Sequence, residues 1–443
     1  MIQPIYHLQP ERNWMNDPNG MSFIDGWFHM FYQHNPSAPV WGNMTWGHAR
    51  SLDMVRWERL PHALYPDMPY DKEGVFSGCC VVRDGIPHIV YTGVHPETVC
   101  LALGNGDGTQ FTKYAHNPIL TRGERDLRGW RDPYIWPEAG GYRMLIGSGD
   151  QAGGFVELYE GENLTAWRPL GKLVEARALA PSDTMWECPV MMLNEEGEAA
   201  LFVSALSTFT VRRITGKYAA NRFTPDAIGD ADLGDCLYAP NLVRHPDGRW
   251  ILFGWMRECG DEEARARQGW QGMLTLPREL ALEDGQLLVR PASEVDTLRE
   301  RLLAHAEKQA DTVAVQAGQH FEVDARLQPQ DGSVAFELLR DENGACVKVT
   351  LDSRGVRVAR GALSGGAAET LSAQTEPCQA CHLRIFVDGT AIEIYLNARC
   401  TLTTRAYPHP GCVGLRIVPS QGAVIDAADV YAMANCYAGQ ADA

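Results

Sequence analysis

The stretch SLDMVRWERL, residues 51–60, has a shorter counterpart in ENLTAWRPL, residues 162–170. Each contains a polar turn and an apolar residue that is followed three positions later by a tryptophan, and a strand pattern comes next. Recurrence of one such unit is typical of the blades of a β-propeller. Convergent packing of two tryptophans is the alternative, so the repeat favours a propeller without excluding other all-β folds.

Strand-like runs surround this repeat on both sides. From Met21 to about Val289, apolar or alternating segments such as IPHIVYTGV, AALFVSAL and RWILFGWM are separated at short intervals by Gly, Pro, Asp and Asn. Many short strands between turns indicate an all-β sandwich, barrel or propeller. Because the repeat favours the last of these, we predict a β-propeller over residues 1–292.

The pattern changes after the predicted propeller. Residues 293–310, SEVDTLRERLLAHAEKQA, lack Gly and Pro and carry apolar residues at helical spacing, which predicts a linker helix. Alternation then returns in segments such as GSVAFELLR and AIEIYLN, so residues 311–443 are expected to form a β-sandwich of two packed sheets. The apolar positions of the predicted helix are Val295, Leu298, Leu302 and Leu303.

Composition and charge restrict the partner and the compartment. The chain has 443 residues and a formal net charge of −17, without a basic run, which disfavours nucleic acid and anionic lipid as partners. The sequence contains no apolar run long enough to cross a membrane. The first residues do not resemble a secretory signal, and the 12 cysteines are therefore interpreted as reduced thiols. We expect a cytoplasmic protein with a small, neutral partner.

Neither a cofactor nor a metal is expected. Cys378-Gln-Ala-Cys381-His382 matches the haem attachment string, but this string belongs to exported proteins and here it runs directly into a strand pattern. Zinc is disfavoured because no second pair of Cys or His residues stands at a matching spacing.

Three carboxylates stand in unusual sequence neighbourhoods. Asp17 lies in WMNDPNG, Asp132 in GWRDPY and Glu187 in MWECP, so each has a tryptophan within three residues and a proline within two. Tryptophan offers a flat apolar face to a sugar ring, and proline stiffens the backbone. Because the inner strands of a propeller meet at one end of its channel, we expect the three carboxylates to share a pocket. Taken singly, each could instead be a turn or salt-bridge residue.

The neighbours of these carboxylates predict different protonation states. Asp132 follows Arg131 and should stay ionised if the two side chains approach each other. Glu187 has no cation beside it in the sequence, so burial should raise its pKa and let it act as a general acid. Asp17 lies in a polar turn and should be an anion able to attack. One charged and one protonated carboxyl are what glycoside hydrolysis requires.

These strings resemble the signatures of glycoside hydrolase family 32, the β-fructofuranosidases. NDPNG at 16–20, RDP at 131–133 and EC at 187–188 stand in the order found in that family, and FYQHNP at 31–36 and FSGC at 76–79 support the match. The resemblance implies a five-bladed propeller followed by a β-sandwich, and a retaining hydrolase that releases fructose from sucrose or short fructo-oligosaccharides without a metal or cofactor. It implies that Asp17 is the nucleophile, Glu187 the acid/base and Asp132 the residue that stabilises the transition state.

The resemblance also implies a set of substrate-binding residues and leaves alternatives open. A fructosyltransferase would use the same carboxylates, a binding propeller would lack catalysis, and a related five-bladed architecture acts on arabinose and xylose polymers. The second domain is expected to cover one side of the propeller, and a homodimer is possible. The residues that the resemblance assigns to substrate binding are Asn16, Gln33, Trp41, Phe76, Ser77, Arg131, Cys188, Tyr238 and Trp255.

Overall fold

The structure is a computed structural model that describes residues 2–138, 140–260, 265–266, 268–283, 285–367, 369–374 and 379–437. Within these ranges, no helix has both the length and the apolar character needed to cross a membrane. Cys378, the first residue of the haem-like string, lies outside the described residues.

Five antiparallel sheets form the first part of the described chain, in sequence order. The first sheet contains β1 (Asn13–Ile24), β2 (Trp27–Asn35), β3 (Thr45–Ser51) and β4 (Glu58–Leu64). The second contains β5 (Gly74–Arg83), β6 (Ile86–Val94), β7 (Thr98–Gly104), β8 (Phe111–Lys113) and β9 (Leu120–Thr121). The third contains β10 (Gly129–Glu138), β11 (Gly141–Asp150), β12 (Gly153–Gly161) and β13 (Trp167–Glu175), and a short helix, α1 (Ala176–Leu179), follows it.

The remaining two sheets complete this series. The fourth contains β14 (Trp186–Leu193), β15 (Glu198–Ala205), β16 (Thr210–Ala219) and β17 (Arg222–Asp230). The fifth contains β18 (Leu237–Arg244) and β19 (Trp250–Met256), while β20 (Trp270–Gln271) leaves it to join the first sheet beside β1. The fifth sheet then adds β21 (Met273–Leu274), β22 (Arg278–Glu283) and β23 (Gln286–Pro291).

The first strands of the five sheets form a closed ring. Strand β1 contacts β5, β5 contacts β10, β10 contacts β14, β14 contacts β18, and β18 contacts β1 again. A parallel pair, Asn13 with Trp270 and Trp14 with Gln271, ties the end of the ring to its beginning. This closed arrangement is a propeller, with one sheet for each of the five blades that the resemblance implies.

The tryptophan repeat occupies equivalent places in two of these sheets. Trp57 immediately precedes β4, and Trp167 is the first residue of β13, so each stands at the start of the outermost strand of its blade. The repeat therefore reflects blade structure, and the prediction of a propeller is confirmed.

Two six-stranded sheets pack face to face after the propeller and enclose an apolar core. The 3-10 helices of this region span Ser293–Leu298 and Gly361–Leu363. The strands are β24 (Arg299–Gln309), β25 (Val313–Gln316), β26 (His320–Gln328), β27 (Ser333–Arg340), β28 (Val347–Asp352), β29 (Gly355–Ala359), β30 (Thr370–Gln374), β31 (Cys381–Asp388), β32 (Ala391–Leu396), β33 (Cys400–Arg405), β34 (Gly414–Pro419) and β35 (Val424–Met433).

The linker helix predicted over residues 293–310 is wrong. Only its start is helical, as the short 3-10 turn, and the rest is β24, which pairs antiparallel with β35 along the edge of the sandwich. Val295 and Leu298 are buried as expected, whereas Leu302 is 49% exposed. Hydrogen bonding to a strand more than a hundred residues away outweighs the local helical spacing here.

A buried network of charged side chains joins the two domains. The Arg278 guanidinium donates to Glu393 at 2.7 Å and to Asp232 at 2.9 Å. The His7 ring bonds Asp388 at 2.8 Å and Glu393 at 3.0 Å. These side chains are almost completely buried. Removing any one of them would leave a buried charge without its partner, which would destabilise the contact between the propeller and the sandwich.

This network makes stability depend on pH through His7. Burial by itself would lower the pKa of His7, but Asp388 and Glu393 raise it from 6.5 to about 9. The charged form therefore stabilises the fold fully below about pH 6.5, and the contribution of about 3 kcal/mol is lost as the pH rises through about 9.

We expect His7→Gln to remove this pH dependence. Urea unfolding near pH 6 and near pH 10 should show a larger free-energy difference for the wild type than for the variant. His88→Gln is the matched control, because the His88 ring bonds a backbone carbonyl near its own position, that of Ile86, and not a buried carboxylate of the interdomain network. Equal pH slopes for wild type and His7→Gln would contradict this assignment.

Candidate active site

The first strand of every propeller sheet is interrupted at an equivalent place. In four of them a proline follows at once, and because proline has no N–H it cannot continue the ladder of hydrogen bonds. Such bulges turn neighbouring side chains out of the regular alternation, here toward one end of the channel. The register shifts lie between Met15 and Pro18, Phe76 and Gly78, Arg131 and Tyr134, Glu187 and Val190, and Tyr238 and Asn241.

These five bulges present the chemical groups of the site. The backbone is left-handed at Asp132 (φ 64°), Cys188 (φ 46°) and Ala239 (φ 45°), which is uncommon for residues other than glycine and is often found at functional sites. The residue pairs at the bulges are Asn16-Asp17, Phe76-Ser77, Arg131-Asp132, Glu187-Cys188 and Tyr238-Ala239.

A cavity of about 450 Å³ lies at this end of the propeller. It brings together eleven of the twelve residues predicted from the sequence, including all three carboxylates. The twelfth, Cys188, lies behind them, with its Sγ 3.6 Å from Asp17 Oδ2 and 3.5 Å from Asp132 Oδ2. The lining residues are Trp14, Asn16, Asp17, Gln33, Trp41, Phe76, Ser77, Arg131, Asp132, Glu187, Leu206, Phe209, Tyr238 and Trp255.

Asp17 is held from both sides by short hydrogen bonds. Ser77 Oγ donates to Asp17 Oδ2 at 2.7 Å, and Asn16 Nδ2 donates to Oδ1 at 2.9 Å. Burial raises the pKa of Asp17, while these two donors oppose the increase by stabilising the anion. The carboxylate is therefore fixed in orientation at the floor of the cavity.

Asp132 differs from its sequence-based prediction. Burial raises the pKa of Asp132 to about 7, although Arg131 acts in the opposite direction. The nearest guanidinium nitrogen of Arg131 lies 4.0 Å from Asp132 Oδ2 and points mainly to other partners. The sequence predicts an ionised Asp132 only if Arg131 approaches it, and at this distance the loss of water raises the pKa of Asp132 more than the cation lowers it.

Glu187 has the partners that its sequence neighbours did not indicate. Arg131 Nε and Nη2 donate to Glu187 Oε1 at 2.9 and 2.6 Å, and the Tyr238 hydroxyl donates to Oε2 at 2.6 Å. Arg131 also donates to Glu97 at 2.6 Å. No cation stands beside Glu187 in the sequence, but in the fold Arg131 reaches it from the neighbouring blade.

Aromatic rings form the walls above the carboxylates. The Trp14 and Trp255 rings meet edge to face at 5.7 Å, and those of Trp41 and Phe76 at 5.9 Å. Among the described residues, Trp255 Nε1 is a buried donor without a hydrogen-bond partner. The cavity thus combines flat apolar faces with polar groups, which suits a sugar ring.

The sequence reasoning missed three residues of importance here. Leu206 and Phe209 line the cavity from the turn between β15 and β16, and Glu97 holds Arg131 from the turn between β6 and β7. None of them stands in a signature string. The repeated bulges could have been found from the sequence, because NDP, RDP, ECP and YAP all end in proline, but these three turn residues have no comparable signal.

A second group of possible metal ligands lies apart from the cavity. One ligand atom from each of Asp235, Cys236 and Cys259 falls within 4.8 Å of the others. The Asp235 carboxylate already accepts hydrogen bonds from Arg360 and Thr404, both at 2.8 Å. These ligand-forming atoms therefore belong to a hydrogen-bonded contact between the two domains.

Comparison with known proteins agrees with this geometry. The family model described as the glycosyl hydrolases family 32 N-terminal domain matches residues 7–291, and the one described as the glycosyl hydrolases family 32 C terminal matches residues 292–432. A sucrose-6-phosphate hydrolase of Escherichia coli is 32% identical over 95% of this chain and 93% of its own. A raffinose invertase of Escherichia coli is 30% identical over 95% and 93%.

A solved structure extends the similarity to the whole fold. The GH32 beta-fructofuranosidase of Bombyx mori is 27% identical and superposes with a TM-score of 0.83 over 98% of this chain and 94% of that chain. A variant of that enzyme, 26% identical to this chain, has been solved in complex with sucrose. The two family matches and these relatives show that this chain belongs to glycosyl hydrolases family 32 and is a glycoside hydrolase.

Proposed function

We propose that this protein is a retaining β-fructofuranosidase that releases fructose from sucrose and short fructo-oligosaccharides. The observation that carries the proposal is the convergence of Asp17, Asp132 and Glu187 on one cavity with aromatic walls. The sucrose complex of the Bombyx mori relative supports the choice of substrate.

The reaction proceeds in two steps through Asp17. Glu187 gives its proton to the glycosidic oxygen while an oxygen of Asp17 attacks the anomeric carbon, so the bond to the leaving sugar breaks and a fructosyl ester forms. Glu187 then takes a proton from water, and the resulting hydroxide releases fructose with retained configuration. Only side chains and water take part in these steps.

The contacts of the two reacting residues support these roles. Ser77 and Asn16 fix the Asp17 carboxylate before attack, which lowers the cost of reaching the reacting geometry. Arg131 and Tyr238 orient the two oxygens of Glu187. A nucleophile and an acid/base that act on the same bond with retention require their two carboxyl groups to lie about 5 Å apart.

Asp132 is proposed to bind fructose hydroxyls and to stabilise the cationic transition state. The backbone N–H of Cys188 donates to Asp132 Oδ2 at 3.0 Å, which holds the carboxyl in place. Positive charge develops on the ring during bond breaking, and a fixed anion nearby lowers the barrier. The ionised form is therefore the active one.

This role predicts an acidic limb in the pH profile. Because the pKa of Asp132 is raised to about 7, kcat/KM for sucrose should fall as the pH decreases below about 7. The limb belongs to the group of interacting carboxyls rather than to one residue alone. Asp132→Asn should be slower at every pH, and the limb should move to lower pH because the remaining carboxyls lose a neighbouring negative charge. An unchanged limb in the variant would contradict the assignment.

A hydrolysis panel tests the function as a whole. Sucrose, sucrose 6-phosphate, kestose, inulin and levan are incubated with the enzyme, and released fructose is measured. Sucrose and kestose should give fructose, whose first-formed anomer, followed by NMR, should retain the β configuration. Absence of fructose from every substrate would overturn the proposal. Product ratios at high sucrose measure transfer to a sugar acceptor.

We also propose that the protein works in the cytoplasm. This proposal extends the interpretation of the 12 cysteines as reduced thiols, which are usual in a reducing compartment. Cell fractionation tests this location. The homodimer stays a prediction, and sedimentation of the purified protein would test it.

A further inference from the structure

The mouth of the catalytic cavity is bordered by exposed apolar side chains. Trp41 is 59% exposed, Phe209 45% and Leu206 36%, and all three line the cavity. Trp41 comes from the segment between β2 and β3, while Leu206 and Phe209 come from the β15–β16 turn. Large apolar groups kept in water around a cavity indicate a surface that a ligand covers.

Phe209 is held in an unusual conformation. Its backbone is left-handed, with φ at 51°, which is uncommon for an aromatic residue. Its ring lies 5.3 Å from the Tyr238 ring. Strain of this kind persists where the surroundings require a particular placement of the side chain.

The position of Phe209 places it beside the leaving sugar of a bound substrate. Tyr238 donates to Glu187, and Glu187 is the group that protonates the glycosidic oxygen in the proposed reaction. Because Phe209 packs on Tyr238, it lies beside the acid and therefore on the side from which the leaving sugar departs. Trp41, edge to face with Phe76, stands at the same mouth.

The charges around this mouth do not favour an anionic leaving group. Arg131 is the cation that lines the cavity in the described part of the chain, and it is committed to Glu187 and Glu97. The Arg257 guanidinium lies 5.4 Å from the Phe209 ring centre, and its Nη2 donates to the Asp235 carbonyl at 2.7 Å. The Phe209 ring thus covers the Arg257 guanidinium, while three carboxylates lie at the bottom of the cavity.

We propose that Trp41, Leu206 and Phe209 form the leaving-group site and select a neutral sugar, so that sucrose is a better substrate than sucrose 6-phosphate. This inference rests on the proposed β-fructofuranosidase function. If the inference holds, the preferred substrate of this chain differs from the one for which its relatives named sucrose-6-phosphate hydrolases are named.

The first test compares the two substrates directly. Wild-type kcat/KM for sucrose should exceed that for sucrose 6-phosphate by about 10-fold or more, because the described residues that line the cavity offer a phosphate dianion three carboxylates and no uncommitted cation. Equal values, or a preference for the phosphate, would overturn the inference while leaving the β-fructofuranosidase proposal intact. No release of fructose from either substrate would overturn both.

The second test removes the ring. Phe209→Ala should lower kcat/KM for sucrose by roughly 10-fold through loss of stacking. It should also raise the ratio of sucrose 6-phosphate to sucrose turnover, because Arg257 loses its cover. Inhibition by free fructose should not change, which shows that the variant is folded and that its inner site is intact. An unchanged substrate ratio would overturn the inference.

Two further variants sharpen the result. Phe23→Ala is the matched control, because Phe23 is a 38% exposed aromatic residue that does not line the catalytic cavity. It should leave both substrates unaffected. Phe209→Lys should raise the relative turnover of sucrose 6-phosphate above that of Phe209→Ala, since it adds a cation at the mouth. A lower ratio in Phe209→Lys than in Phe209→Ala would overturn the assignment of Phe209 to the leaving-group site.

Discussion

Replacing Asp17 with alanine is expected to lower kcat for sucrose by about 10⁴-fold or more, because the variant has no atom to form the fructosyl ester. Glu187→Ala should lose less, about 10²- to 10⁴-fold, because only proton transfer is removed. Both are measured as released fructose at saturating sucrose. Asp226→Ala is the control, since Asp226 is an exposed residue of an outermost strand, and it should keep full activity.

Added azide separates the two roles of these residues. With an aryl fructoside that needs no acid, azide should replace Asp17 in Asp17→Ala and give a product of inverted configuration. In Glu187→Ala it should attack the fructosyl ester and give a product of retained configuration. Near-normal turnover of sucrose by either variant would contradict the mechanism, and the opposite stereochemistry would exchange the two assignments.

Arg278→Met is expected to destabilise the protein by about 3–5 kcal/mol, because it leaves buried carboxylates without their cation. The Arg278 guanidinium is 2% exposed and binds Asp232 and Glu393, which are 3% and 1% exposed. Urea unfolding, followed by tryptophan fluorescence, measures the loss. We expect the propeller and the sandwich to separate at lower urea than in the wild type.

A surface arginine provides the control for this prediction. Arg168 lies on the outermost strand β13, its side chain is 67% exposed, and it pairs with Glu160 of the neighbouring strand β12. Arg168→Met should change the free energy of unfolding by less than about 1 kcal/mol. Similar losses in the two variants would mean that the interdomain network does not contribute the stability that its burial indicates.

Much of the fold could be predicted because its signals are local. Short alternating segments between turn residues specify strands, and the tryptophans at 57 and 167 mark equivalent outer strands. The stretch at residues 299–309 could not be predicted, because its helical spacing competes with pairing to β35, and only the folded chain brings that strand alongside. The local spacing of apolar residues predicts whether a segment is a helix or a strand only where no distant strand offers it more hydrogen bonds.

The candidate site divides in the same way. Asp17, Asp132 and Glu187 could be found from short strings, since a proline and a tryptophan beside each carboxylate are visible in sequence. Their electrostatic environment could not, because burial, and not the adjacent Arg131, has the largest influence on Asp132.

The sequence by itself determined the all-β character, the family and the three carboxylates, because these depend on residues that are neighbours along the chain. Tertiary structure alone decided that Arg131 binds Glu187 from the next blade, that Phe209 stands at the mouth of the cavity, and that His7 and Arg278 lock the two domains together. The physical reason is that burial and charge pairing act across space, between groups whose separation in sequence carries no information about their distance.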